Sequence, residues 1–117
     1  MTNVELVESL CRISVPLREA RRLHLESYGT LVPHVFMSDV LKRMGECLVA
    51  ARAHPAADQT AEVRGIAEVL EQGMTEGDRE TCNVIALSFT RDSELESFHR
   101  ELVPLLGPKT RAQLKGK

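Results

Sequence analysis

The stretch 81–89, reading TCNVIALSF, limits the folds open to this chain more than any other segment. Cys82, Val84, Ile85, Ala86, Leu87 and Phe89 leave no polar stripe wide enough for a surface helix, so the segment is expected to be covered on several sides. Its β-branched residues would also suit a buried strand. Gly77-Asp78-Arg79-Glu80 just ahead favours a helix start capped by Asp78, and no second strand offers itself as a partner. A buried central helix is the expectation. Asn83 and Ser88 lie inside it and need hydrogen-bond partners if they are buried.

The rest of the chain is punctuated into helices around this one. Thr2 and Glu5 stand at capping-box spacing and start a first helix at Asn3, which Pro16 ends near Ile13 by forcing Val15 out of helical geometry. A charged second helix runs from Leu17 to Tyr28, with Gly29 as its stop and one narrow apolar face through Leu17, Ala20 or Arg21, His24 or Leu25, and Tyr28. Pro33 or Ser38 opens a third, whose stripe is Met37, Val40, Leu41, Met44, Cys47, Leu48 and Ala51, with Asp39 and Arg43 spaced to pair on its wet face. Asp58 or Thr60 caps a fourth with Val63, Ile66, Ala67, Leu70 and Met74 inward. After the central fifth helix, Ser93 and Glu96 form a second capping box for a sixth, with Leu95, Phe98, Leu102, Val103 and Leu106 inward. Pro108 opens a last short helix to about Leu114. The chain is therefore expected to be a single all-α domain, 1–117, of six or seven short antiparallel helices, arranged as a helical bundle or as stacked helical hairpins.

With aromatic residues at only 3% and no Trp, the core must come from Leu, Val, Ile, Met and Ala. The same scarcity argues against single-stranded nucleic-acid binding, which relies on aromatic stacking platforms. Charge is unevenly spread. Residues 56–106 hold 11 acidic and 4 basic side chains, while 107–117 hold 4 basic and none acidic. An acidic middle attracts a basic partner and repels a phosphate backbone. No signal peptide or long apolar run interrupts the pattern, so no membrane partner and a reducing cytoplasm are expected, with Cys11, Cys47 and Cys82 as three buried thiols.

No constellation carries chemistry. No Cys or His pair stands at metal-ligand spacing, so no metal and no cofactor are expected. His34 and Asp39 are five apart, a poor facing distance on a helix, and no nucleophile or phosphate loop is near, so the chain is not expected to be an enzyme. A small-ligand site around His34, Asp39 and Asn83 is one alternative. Another is a helical DNA-associated regulator using Arg18, Arg21 and Arg22, although Glu19 and Glu26 interleave with that cluster and make a solvated face the simpler reading.

Two motifs look familiar: GTLVPHVFMSD, from Gly29 to Asp39, and GDRETCNVIALSF, from Gly77 to Phe89, followed by Leu106-Gly107-Pro108. Over about Gly29 to Pro108 the chain resembles small all-helical bacterial proteins of unassigned biochemistry, some of which look like immunity proteins of polymorphic toxin systems. The resemblance implies a protein that neutralises a cognate toxin by direct binding. It joins with the acidic middle to place the partner surface on Glu71, Glu76, Asp78, Glu80, Asp92, Glu94 and Glu96 around the fifth helix, with His34 and Asp39 beside it. The toxin would then be basic where it makes contact.

Overall fold

A computed structural model describes residues 1–54, 60–91 and 96–113. Seven helices follow one another: α1 Asn3–Ile13, α2 Val15–Tyr28, α3 Pro33–Ala53, α4 Ala61–Glu76, α5 Arg79–Arg91, α6 His99–Leu102 and α7 Pro108–Ala112. Short 3-10 turns at Glu96–Phe98 and Val103–Leu105 flank α6. No strand occurs among the described residues, so the fold is all-α.

The starts and stops follow local chemistry. Thr2 and Glu5 close a reciprocal capping box at the head of α1. Pro33 takes the first position of α3, where its missing N–H goes unneeded. Gly29 ends α2 in the left-handed region at φ 74°, its N–H donating to the Leu25 carbonyl at 2.8 Å. One boundary departs from expectation. Ser14, not Val15, is the extended residue between α1 and α2, and Val15 already belongs to α2. Ser14 accepts the Leu17 amide at 3.3 Å and so acts as the cap, which lets the helix begin just ahead of Pro16.

α4 is the hub. It touches α1, α3, α5, α7 and the 3-10 turn at Val103–Leu105. Val63, Ile66, Ala67, Leu70 and Gly73 of α4 are buried, together with Val84, Ile85 and Phe89 of α5 and the Phe36–Leu48 stripe of α3. The segment 81–89 is covered on several sides, as expected. α5 packs on α3 and α4 and lightly on α1, which leaves one line open through Glu80, Asn83 and Leu87, at the i, i+3, i+7 spacing of one helical face. Asn83 is exposed. Ser88 turns back on its own helix and donates to the Val84 carbonyl at 2.6 Å.

Two further corrections concern side chains that burial alone could not assign. On α2, Leu17 is buried as expected and His24 is the inward one of the pair His24 and Leu25, but Tyr28, expected on the same face, is exposed. The Val32 N–H donates to His24 Nε2 at 2.9 Å, and the imidazole packs against the Tyr28 ring and edge-on to Phe36. His24 thereby satisfies a backbone donor in the α2–α3 turn that no helix can reach. Cys82, expected to be buried, is half-exposed. Its thiol faces the Gly73, Met74 and Gly77 carbonyls at 3.6–3.7 Å and supplies a donor to the open C-terminal end of α4.

Arg43 of α3 does not pair with Asp39. It makes a two-pronged contact with Glu62 of α4, Nε to Oε2 at 2.6 Å and Nη2 to Oε1 at 3.0 Å, and lies 3.7 Å from Glu46. Buried Ser14 donates to the same Glu62 oxygen at 2.9 Å, so one carboxylate ties the α1–α2 joint, α3 and α4 together. The Arg43 hydrogen bonds hold the Glu62 carboxyl below its ordinary value of 4.5 against the opposing effect of burial, with help from Ser14. Because the folded value is depressed, the stabilisation is complete above pH 4.5 and is lost as pH falls through the folded value. Glu62→Gln should therefore lower stability by about 1–2 kcal/mol at pH 7. Urea melts across a pH series should show the gap from wild type closing below pH 4.5. A gap that stays constant down to about pH 2–3 would contradict the assignment.

The last helices are fastened by side chains from earlier ones. Arg52, at the end of α3, donates to Glu101 Oε1 and to the Ser97 carbonyl, both at 2.7 Å, and covers the Phe98 ring at 4.3 Å. Glu71 of α4 receives the Lys109 and Thr110 amides and the Thr110 hydroxyl at 2.9–3.1 Å, and so caps α7 from another helix.

Candidate functional site

The expected acidic surface divides into three parts. Glu71 is spent on α7. Burial pushes its carboxyl up, but the two amides and the hydroxyl more than offset this and the net shift is downward. Asp92 and Glu94 lie outside the described residues, as do Asp58, Ser93, Leu95 and Leu114. Glu96 opens a 3-10 turn, and its side chain is outside the description. Glu76, Asp78 and Glu80 remain together at the two-residue turn between α4 and α5, all of them exposed.

That turn is built against the N-terminus of the chain. The Met1 ammonium donates to the Glu76 carbonyl at 2.8 Å. The Asp78 N–H and the buried Thr81 hydroxyl both donate to the Met1 carbonyl, at 2.9 and 3.2 Å. Asp78 Oδ1 receives the Thr81 amide at 2.8 Å and caps α5 as expected. The Thr81 amide above all holds the Asp78 carboxyl below its ordinary range, with the Met1 ammonium assisting.

Docking of Met1 brings a carboxylate that sequence reasoning missed. Glu5, in the first turn of α1, lies close enough to Asp78 for the two charges to interact, while Thr2 holds the Glu5 carboxyl down. Glu5 thus joins Glu76, Asp78 and Glu80 at one corner, beside the Met1 ammonium. The missing signal was tertiary, since Glu5 is more than 70 residues from the turn in sequence. The Glu76 carboxylate also accepts from Gln72 at 3.1 Å, and the Glu80 side chain makes no hydrogen bond among the described residues.

The remaining candidates do not converge. His34 is exposed at the start of α3, Asp39 is half-buried further along it, and Asn83 is exposed on α5. No hydrogen bond or ion pair among the described residues joins any two of them. They line neither the cleft between α1 and α2 nor the one of about 280 Å3 between α4 and the Leu105–Gly107 segment. Among the described residues no group of three or more His, Cys, Asp or Glu could hold a metal ion, and no helix is long and apolar enough to cross a membrane. All three cysteines are free thiols. Burial pushes the Cys11 and Cys47 thiols up, which makes both poor nucleophiles.

The arginine cluster on α2 is also divided. Arg22 is held between Glu19 and Glu26 on the outer face. Arg18 and Arg21 instead turn toward α1. Compared with protein-family models, with curated proteins and with solved structures, the chain matches none.

Proposed function

We propose that the chain is a protein-binding domain that neutralises a cognate toxin by direct contact in the cytoplasm, and that the corner formed by Glu5, Glu76, Asp78 and Glu80 meets a basic surface of that toxin. The observation that carries this reading is that corner. The Met1, Thr81 and Asp78 hydrogen bonds fix the backbone of the α4–α5 turn against the start of α1, and so set the positions from which these four carboxylates project. A rigid acidic surface loses little conformational entropy on binding and steers an oppositely charged partner into register. The role assigned to the chain is binding, not catalysis, with no cofactor.

Glu76 and Glu80 are the residues to change, because Asp78 and Glu5 also cap helices. In surface-plasmon measurements against the product of the adjacent reading frame, wild type should associate more slowly as salt rises. Glu76→Lys with Glu80→Lys should slow association by about tenfold or more and should fail to protect cells expressing that product. Wild-type association in the variant, or absence of any complex between the two proteins, would reject the proposal.

A further inference from the structure

Most described arginines with assigned contacts answer a carboxylate: Arg22 meets Glu19 and Glu26, Arg43 meets Glu62, and Arg52 meets Glu101. The α1–α2 cleft differs. It has a volume of about 570 Å3 and is lined by Glu8, Cys11, Arg12, Arg18 and Arg21. None of its three guanidinium groups forms an ion pair among the described residues. Glu8 is the one acid in the lining, which leaves a local excess of two positive charges in a chain of net charge -2.

The geometry points to a binding site for a small phosphate-bearing molecule in this cleft. Arg18 is pinned there: its Nε donates to the Cys11 carbonyl at 2.8 Å, which fixes the guanidinium plane and leaves both terminal nitrogens without a partner among the described residues. Pinning removes much of the rotamer freedom that a surface arginine would lose on binding. Arg21 is half-buried, and it lines the same cleft as Arg18 beside Cys11. Arg12 approaches from the last turn of α1.

Three planar forks suit a tetrahedral dianion, which offers more acceptor oxygens than a carboxylate. The cleft is open to solvent and leaves room for the rest of a ligand beyond its phosphate. Glu8 and the carbonyl end of α1 oppose a ligand that is negative throughout. With Glu19 and Glu26 on the outer face of α2, they disfavour the continuous backbone of a nucleic acid. This site is separate from the acidic corner and does not rest on the toxin-binding reading.

The test is an amide-resolved NMR titration of the full chain with sodium pyrophosphate at constant ionic strength, set by chloride. Saturable shifts confined to residues of the α1–α2 joint are expected. Arg12→Gln and Arg21→Gln should each weaken binding about tenfold, Glu8→Gln should tighten it, and Arg22→Gln should leave it within about twofold. Arg12 is exposed, so its variant remains informative even if Arg21→Gln perturbs the fold. Linear, unsaturated shifts would overturn the proposal, as would equal weakening by Arg22→Gln. Tighter binding of a 20-base-pair duplex than of pyrophosphate, with the same dependence on Arg12 and Arg21, would overturn it in favour of nucleic acid.

Discussion

Ile85→Asp should abolish cooperative thermal unfolding and leave a chain without near-ultraviolet dichroism. Ile85 is fully buried in α5 among Leu6 of α1 and the Gly73 face of α4. The partly buried carboxylates of α4 are answered, Glu62 by Arg43 and Ser14 and Glu71 by amides of α7. The apolar side chains packed around Ile85 cannot do the same. A carboxyl placed there must ionise unpaired or stay protonated without acceptors, at a cost above about 4 kcal/mol, a large share of a small domain's stability. A folded Ile85→Asp protein with a normal melting curve would show that the α4–α5 contact is not part of the core. A finer probe uses the same contact. A Cβ built on Gly73 would stand 2.7 Å from Ile85 Cδ1, so Gly73→Ala alone forces that methyl aside. Ile85→Val removes the methyl. In a double-mutant cycle Gly73→Ala should therefore cost less when combined with Ile85→Val than in wild type, the two changes coupling favourably by about 0.5 kcal/mol or more.

Local chemistry was legible in the sequence, and partners distant in sequence were not. Thr2 with Glu5, Pro33, Gly29 and Asp78 each act within four residues, and each marks a helix end where expected. The stripe from Met37 to Leu48 is buried as its spacing predicts. Periodicity identifies an apolar face but not what covers it. That is why α5 looked central when α4 has more neighbours, and why the exposure of Asn83, on the open line of α5, was left undecided. The acids show the same division. That residues 56–106 are acidic is plain from composition. That Glu62 answers Arg43 and Ser14, 19 and 48 residues away, or that Glu71 is taken by α7, 38 and 39 residues away, follows only from the packed fold. The candidate surface gained Glu5 and lost Glu71 for one reason: a carboxylate is available to a partner only if the fold has not already used it.

Gly77→Ala should be the most damaging substitution of one small residue for another. Gly77 has φ -71° and ψ 153°, which any residue adopts, so the requirement is for space and not for an unusual backbone. A Cβ there would run into the Gly73 carbonyl oxygen and stand 3.0 Å from Thr81 Cγ2. The Gly77 N–H donates to that same carbonyl at 2.8 Å to finish α4, so the chain cannot back away without breaking the helix end. The turn must open, at a cost of about 2–4 kcal/mol, and the Met1 contacts to Asp78 and Thr81 open with it. Gly65→Ala provides the contrast. Its Cβ would meet only the tip of the Ile13 side chain at 3.2 Å and then Ile13 Cβ at 3.9 Å, while the helix gains up to about 1 kcal/mol from replacing glycine. Urea melts should place Gly65→Ala at or above wild type and Gly77→Ala well below it. Hydrogen exchange should show the difference in place, with the Asp78 and Thr81 amides losing protection in Gly77→Ala while those of α3 keep theirs. If Gly77→Ala melts like wild type, the turn is soft, and the spacing of Glu5, Glu76, Asp78 and Glu80 on which the proposed partner surface depends is not enforced by the fold.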